Sequence, residues 1–426
     1  MAAELIVTVP NDPKNQDLYS AGRNAAEHLQ NPMKAAGDLR VVHKAELVTY
    51  LKRHHVTGAG VVSQLPLAYH LVEVLDGDLF GAVARIARWH NDPSGSKGAH
   101  GYVEHVEENR GLLPAAPTVD IGSGFVFGAQ HDAYLTMLGL DPTARPVTND
   151  GDGVRVAIVD SGIEPGVSVN RRGFKDVIDA SSTGPLDNSG HGTAMAMIVH
   201  SVAPKAEIHV IRAFDKTYAL LFDVIAGIGA AVDEAKADII NCSLGFSGLG
   251  TRCSRCGGSG GGRSKTFETF LEKLTNTISK VSPPIPQPII AAAVGNDYSP
   301  TAPAAFREPA KYDSTLAVGA ITSGYNLSPF SNRGTAKNLY LLQPGGDDTV
   351  TPIEAVGTDS SGTNYCLGTS PAAAYATGLL ALYRGESKYN ALSVDDFLDA
   401  MAARCNIGAI PGHSLLNHGK GFFYYH

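Results

Sequence analysis

The sequence predicts an α/β protein, and three observations carry that expectation. Two short, mainly apolar runs, Val154 to Val159 and Ile289 to Val294, have the pattern of strands buried on both faces. Elsewhere apolar residues recur at helical spacing, as in Ala194, Met195, Ile198, Val199 and Val202. The 47 glycines and 24 prolines suit many short connections between such elements. At 426 residues the chain has room for one large domain and a small one.

Residues 1–112 read as the small α+β domain. Its order is strand (Glu4 to Val9), helix (Gln16 to Leu29), strand (Leu39 to Val42), strand (Ala68 to Val74), helix (Asp78 to Trp89) and strand (Tyr102 to Glu107). This βαββαβ order predicts a ferredoxin-like sheet. Residues 113–150 read as a linker, with a short helix from His131 to Leu140 and an exposed stretch from Thr143 to Gly153. Residues 151–426 form the larger domain, interrupted by an insertion at 246–288. The insertion holds a Cys/Gly-rich loop and a helix, Thr266 to Ser279, with Phe267, Phe270, Leu271, Leu274 and Ile278 on one face. Val281 to Pro288 carries four prolines and ends that helix.

Four blocks of the larger domain carry chemistry. Val154 to Gly162 ends its apolar run on Asp160, where a carboxylate can fix a histidine's tautomer and stabilise the imidazolium. Asn188 to Thr193 sets His191 between two glycines at a helix start, leaving the imidazole open to a substrate. Ile289 to Asn296 places an amide after a strand and a glycine. Leu367 to Ala373 places Ser370 before Pro371 at the start of a helix running to about Tyr383. Singly, these residues read as a turn Asp, a structural His, a turn Asn and an N-cap Ser. Together they supply what amide hydrolysis needs: nucleophile, base, orienting carboxylate and oxyanion donor.

The order Asp, His, Ser differs from the chymotrypsin and α/β-hydrolase orders, and these blocks resemble those of the subtilisin-like serine proteases, the subtilases. The resemblance covers roughly residues 125 to 426. Ser201 to Ile208 is similar to the family's link out of the histidine helix. Ala237 to Gly245, with Ser243, Leu244 and Gly245, resembles the strand that pairs with substrate backbone and lines one wall of the primary specificity pocket. Ser314 to Ile321 and Ser328 to Gly334 are similar to the segments between the asparagine and the serine. The resemblance implies a doubly wound, mostly parallel sheet with the site at the strands' carboxyl edge. It carries over Asp160, His191 and Ser370 as the triad and Asn296 as the oxyanion donor. Two departures, Pro371 in place of the family's Met and Ala374-Tyr375 in place of Pro-His, bear on helix packing. Ala304 to Pro309 falls near the base of the primary pocket. Arg307 there either favours an acidic substrate side chain or pairs with Asp297 or Glu308 and leaves the pocket neutral. Tyr102 to Arg110 resembles the end of a subtilase propeptide, which in that family docks on the enzyme and inhibits it. An accessory domain is the alternative reading of residues 1–112.

Composition narrows the rest. The 34 basic and 42 acidic residues give −8 with no concentrated basic patch, which argues against nucleic-acid binding. The N-terminus has no basic n-region or long apolar core, and no run of about 18 apolar residues exists, so neither a signal peptide nor a membrane span is expected. With five cysteines, an odd count, a reducing, cytoplasmic compartment is expected. Cys253 and Cys256 have zinc-like spacing, but no second pair stands in the sequence, and no loop matches a calcium motif. No metal or other cofactor is therefore expected. The sequence predicts a serine endopeptidase acting on proteins or peptides, with its own N-terminal domain as inhibitor and self-cleavage between Asn109 and Asp152. The alternatives are a catalytically silent subtilase fold used for binding, and a processing protease dedicated to one partner protein.

Overall fold

The structure is a computed structural model. It describes residues 4–10, 39–41, 67–74, 105–108, 111–114, 122–141, 150–179, 181–215, 219–245, 264–278, 280, 286–301, 303–334, 340–406 and 420–425. In chain order the elements begin with strands β1 (Glu4–Pro10), β2 (Leu39–Val41), β3 (Leu67–Val74), β4 (His105–Glu108), β5 (Gly111–Pro114) and β6 (Val126–Phe127). Helix α1 (Ala129–Met137), β7 (Arg155–Asp160), β8 (Arg171–Asp176), α2 (His191–Val202), β9 (Glu207–Arg212) and β10 (Ala219–Leu220) follow. Next are α3 (Leu221–Asp233), β11 (Ile239–Cys242), β12 (Leu244–Gly245), α4 (Lys265–Ile278), β13 (Ile289–Ala293), β14 (Leu316–Ile321) and β15 (Tyr340–Pro344). The chain closes with β16 (Gly357–Thr358), β17 (Tyr365–Cys366), α5 (Thr369–Gly385), α6 (Val394–Ala402), β18 (Cys405–Asn406) and β19 (Phe422–Phe423).

Two compact units result. The first comprises Met1–Gly111, Leu220–Gly229 and Ser247–Ile285. Its sheet is antiparallel in the order β2-β3-β1-β4, which is what a ferredoxin-like βαββαβ unit requires. The two helices expected between these strands, Gln16 to Leu29 and Asp78 to Trp89, lie outside the described residues. The same unit holds α4, whose Phe267, Phe270, Leu271, Leu274 and Ile278 are all buried, the face its periodicity predicts.

The second unit comprises Leu112–Ala219, Ala230–Phe246 and Pro286–His426. Its main sheet runs β18-β19-β15-β14-β13-β11-β7-β9-β8, and every pair is parallel except β18 with β19. The central strands are buried along their length, as unbroken apolar runs such as Ile289–Ala293 demand. Strand order reverses at β7, which lies between β9 and β11, and such switch points open a crevice at the strands' carboxyl ends. Helices α2 and α5 pack against each other, and α5 is buried from Thr369 through Tyr383. Their contact is close because Gly378 lets Val202 approach. A neutral histidine braces the other side of α5: His131 Nδ1 lies 2.7 Å from Tyr375 Oη, and burial pushes its pKa down to about 4. No helix among the described residues is long and apolar enough to cross a membrane.

Candidate active site

Asp160 is the last residue of β7 and is fully buried at the switch point. Its Oδ1 accepts from the Ser161 N–H at 2.8 Å and from His191 Nδ1 at 2.7 Å. An ionised carboxylate only accepts, so Nδ1 carries the imidazole proton and Nε2 is the basic nitrogen. Nε2 is itself buried with no hydrogen-bond partner.

His191 opens α2 after Gly190, which has φ 75°. The turn before it is organised by Asp187, which no sequence motif marks. Asp187 Oδ1 accepts from Ser161 Oγ (2.9 Å) and from the N–H groups of Ser189 (3.0 Å) and Gly190 (2.8 Å). Its Oδ2 accepts from Thr193 N–H (2.9 Å) and Thr193 Oγ1 (2.6 Å). Asp187 thus satisfies donors in the first turn of α2, and Ser161 Oγ accepts another from Gly192 at 2.9 Å. The available signal was an acidic residue just ahead of a helix start. Burial lowers the His191 pKa, but the charge and hydrogen bond of Asp160, with the charge of Asp187, outweigh it and hold the net shift upward.

Ser370 lies two residues further into its helix than the sequence predicts. The helix starts at Thr369, with Gly368 as its N-cap, because Asn296 Oδ1 accepts the Thr369 N–H at 2.9 Å. With Oδ1 accepting, Nδ2 is the donating half of the Asn296 amide, and it belongs to a side chain fixed beside the residue preceding Ser370. Ser370 Oγ donates to the Ser243 carbonyl at 3.0 Å and not to His191, while Ser243 Oγ donates to the Ser370 carbonyl at 2.9 Å. Asn241 Nδ2 donates to Ser243 Oγ (2.9 Å) and Asn241 Oδ1 accepts from Thr377 Oγ1 (3.1 Å), so a buried polar chain anchors the first turns of α5.

Leu244 and Gly245 form β12, which pairs antiparallel with β5, Leu244 opposite Pro114 and Gly245 opposite Leu113. A peptide strand therefore lies on the segment expected to bind substrate backbone. Arg307 makes a bidentate ion pair with Asp297 through Nε and Nη2 and donates from Nη1 to the Gly245 carbonyl at 3.2 Å. Glu308 turns the other way and accepts from Tyr312 Oη. Among the described residues no cluster of His, Cys, Asp and Glu is arranged to hold a metal ion, and Cys253 and Cys256 lie outside them.

The chain is similar to known proteins. The chain is 29% identical to Subtilisin E of Bacillus subtilis over 280 residues, 63% of this chain and 65% of that one. It is 30% identical over 280 residues to the "Sexual differentiation process putative subtilase-type proteinase isp6" of Schizosaccharomyces pombe, 63% of this chain and 53% of that protein. It thus spans less than two thirds of the length of these curated relatives. Among solved structures, the protease of Pseudoalteromonas arctica PAMC 21717 shares the fold at a TM-score of 0.50 and 20% identity, covering 73% of this chain and 97% of that one. The family model described as "Subtilase family" matches residues 151–404, and the chain belongs to that family.

Proposed function

We propose that the protein is a serine endopeptidase acting on proteins or peptides. The observation that carries this reading is the buried 2.7 Å contact between Asp160 and His191, which leaves Nε2 as the base in the unit where α5 presents Ser370 beside Asn296. Ser370 Oγ attacks the substrate carbonyl, and His191 Nε2 takes its proton and returns it to the leaving amine. Asp160 holds Nδ1–H and stabilises the imidazolium. Asn296 Nδ2 and the Ser370 N–H receive the oxyanion. Water then releases the acyl group by the same route in reverse, and no step calls for a cofactor. The buried free thiols of Cys242 and Cys366 fit the reducing, cytoplasmic compartment expected above.

A fluorophosphonate probe tests the reading. Ser370 should be labelled in the wild type and nothing in Ser370→Ala; a wild type that stays unlabelled in every form would be the silent, binding relative instead. Asn296→Ala should fold and lose about 10²–10³ in turnover, and unchanged turnover would remove its oxyanion role.

Residues 1–112 we infer to be an inhibitory prosegment. Support comes from β5, which occupies β12 as a substrate strand would. Further support comes from Glu107, whose carboxylate accepts from Ser264 Oγ and, at 3.2 Å, from the Thr266 N–H at the start of α4. With a carboxylate capping α4, the segment has a reason to stay docked after cleavage. Purified wild type should shorten with time by the mass of this region while Ser370→Ala stays whole. Full activity from an intact wild-type chain would make residues 1–112 an accessory domain.

A further inference from the structure

We propose that Arg307 fills the primary specificity slot, so that this protease cuts after small, uncharged residues such as alanine. The proposal deepens the endopeptidase reading and rests on it. By the family resemblance, the slot's walls are β12, which ends in Gly245, and the segment just after β13, which carries Gly295. A Cβ added to Gly245 would lie 2.9 Å from Arg307 Cβ, and one added to Gly295 would lie 2.8 Å from Arg307 Cγ and Cδ. The aliphatic stem of Arg307 therefore lies against both glycines, in the space a large substrate side chain would need.

The head of Arg307 is fastened as firmly as its stem. Its guanidinium forks onto both oxygens of Asp297 and donates to the Gly245 carbonyl, and the side chain is 12% exposed. Asp297 is held in turn by the buried Asn332, which accepts the Asp297 N–H at 2.8 Å and donates to Asp297 Oδ2 at 3.2 Å. The same Nδ2 reaches the carbonyls of Val294 and Ala305 at 3.1 and 3.0 Å, so this brace is part of the wall. Displacing the arginine would break a bidentate charge-assisted pair. An acidic side chain gains little, since Asp297 already neutralises the guanidinium.

The test takes full-length protein incubated until it has shortened. Its kcat/KM is measured on tetrapeptide anilides that differ only in the residue before the scissile bond: Ala, Phe or Glu. Alanine should exceed both by about tenfold or more, a discrimination within reach of one pocket contact. Arg307→Gly should raise Phe relative to Ala by about the same factor. If that variant does not fold, the wild-type profile decides alone, and Phe or Glu matching Ala overturns the proposal. A wild type that fluorophosphonate labels on Ser370 but that prefers Phe sinks this inference alone. A chain that is neither labelled nor active sinks the protease reading, and this one with it.

Discussion

Asp187 spends both carboxylate oxygens on the turn that carries His191, and its charge helps hold the imidazole pKa above the ordinary value of 6.5. Burial alone would move that pKa down, so removing a nearby negative charge should lower it. In the proposed mechanism the neutral imidazole is the base, and activity should therefore rise with pH through the His191 pKa. In Asp187→Asn we expect the acid limb of kcat/KM to move to lower pH, together with a stability loss of about 1–3 kcal/mol from donors left unpaired. A uniform fall at every pH with an unmoved limb would make Asp187 a purely structural cap. Asp160, His191, Ser370 and Asn296 were legible because each follows or opens an element with a clear apolar pattern. Asp187 was not, because it acts through backbone N–H groups whose convergence no local pattern records. Arg307 could be located but not read in advance: whether it met a substrate carboxylate or Asp297 depended on side-chain geometry across a loop.

Helices α2 and α5 carry the proposed base and nucleophile, and Gly378 of α5 lies against Val202 of α2. A Cβ there would meet Val202 Cβ at 2.5 Å and Cγ1 at 2.8 Å. Alanine at this position must push the helices apart, and packed helices yield poorly to an added methyl group. Gly378→Ala should cost about 1–3 kcal/mol in denaturant unfolding and lower kcat while leaving KM nearly unchanged, since β12 is untouched. Wild-type stability in that variant would mean that the contact relaxes locally. The existence of both helices was plain from the sequence, but the start of α5 was not. Proline at position 371 suggested a cap at Ser370, whereas a side chain from beyond β13 satisfies the Thr369 N–H and lets the helix begin earlier. Strand β8, Arg171–Asp176, escaped the reading for a different reason. It is the edge of the main sheet, half open to solvent and bulged between Arg171 and Gly173, so it lacks the apolar run that marks the central strands.

Across the second unit, parallel strands read as apolar runs, and the reversal of order at β7 opens a crevice at the carboxyl edge where Asp160 ends its strand. What no pattern in the sequence could show is that the chain lays its own strand β5 on β12. As part of the proposed prosegment such a strand acts as a tethered ligand, and its competition with substrate is governed by an effective concentration, on the order of millimolar for a short link, and not by the amount of protein present. Dilution should not relieve it. If cleavage occurs within one molecule, the rate constant for shortening should stay the same over roughly a hundredfold range of protein concentration, measured by mass against time. A rate constant that rises in proportion to concentration would mean that one molecule cuts another. In the unimolecular case the delay before activity works as a clock wound into each chain at folding, and a population of such chains would switch on with the same half-time whether crowded or sparse.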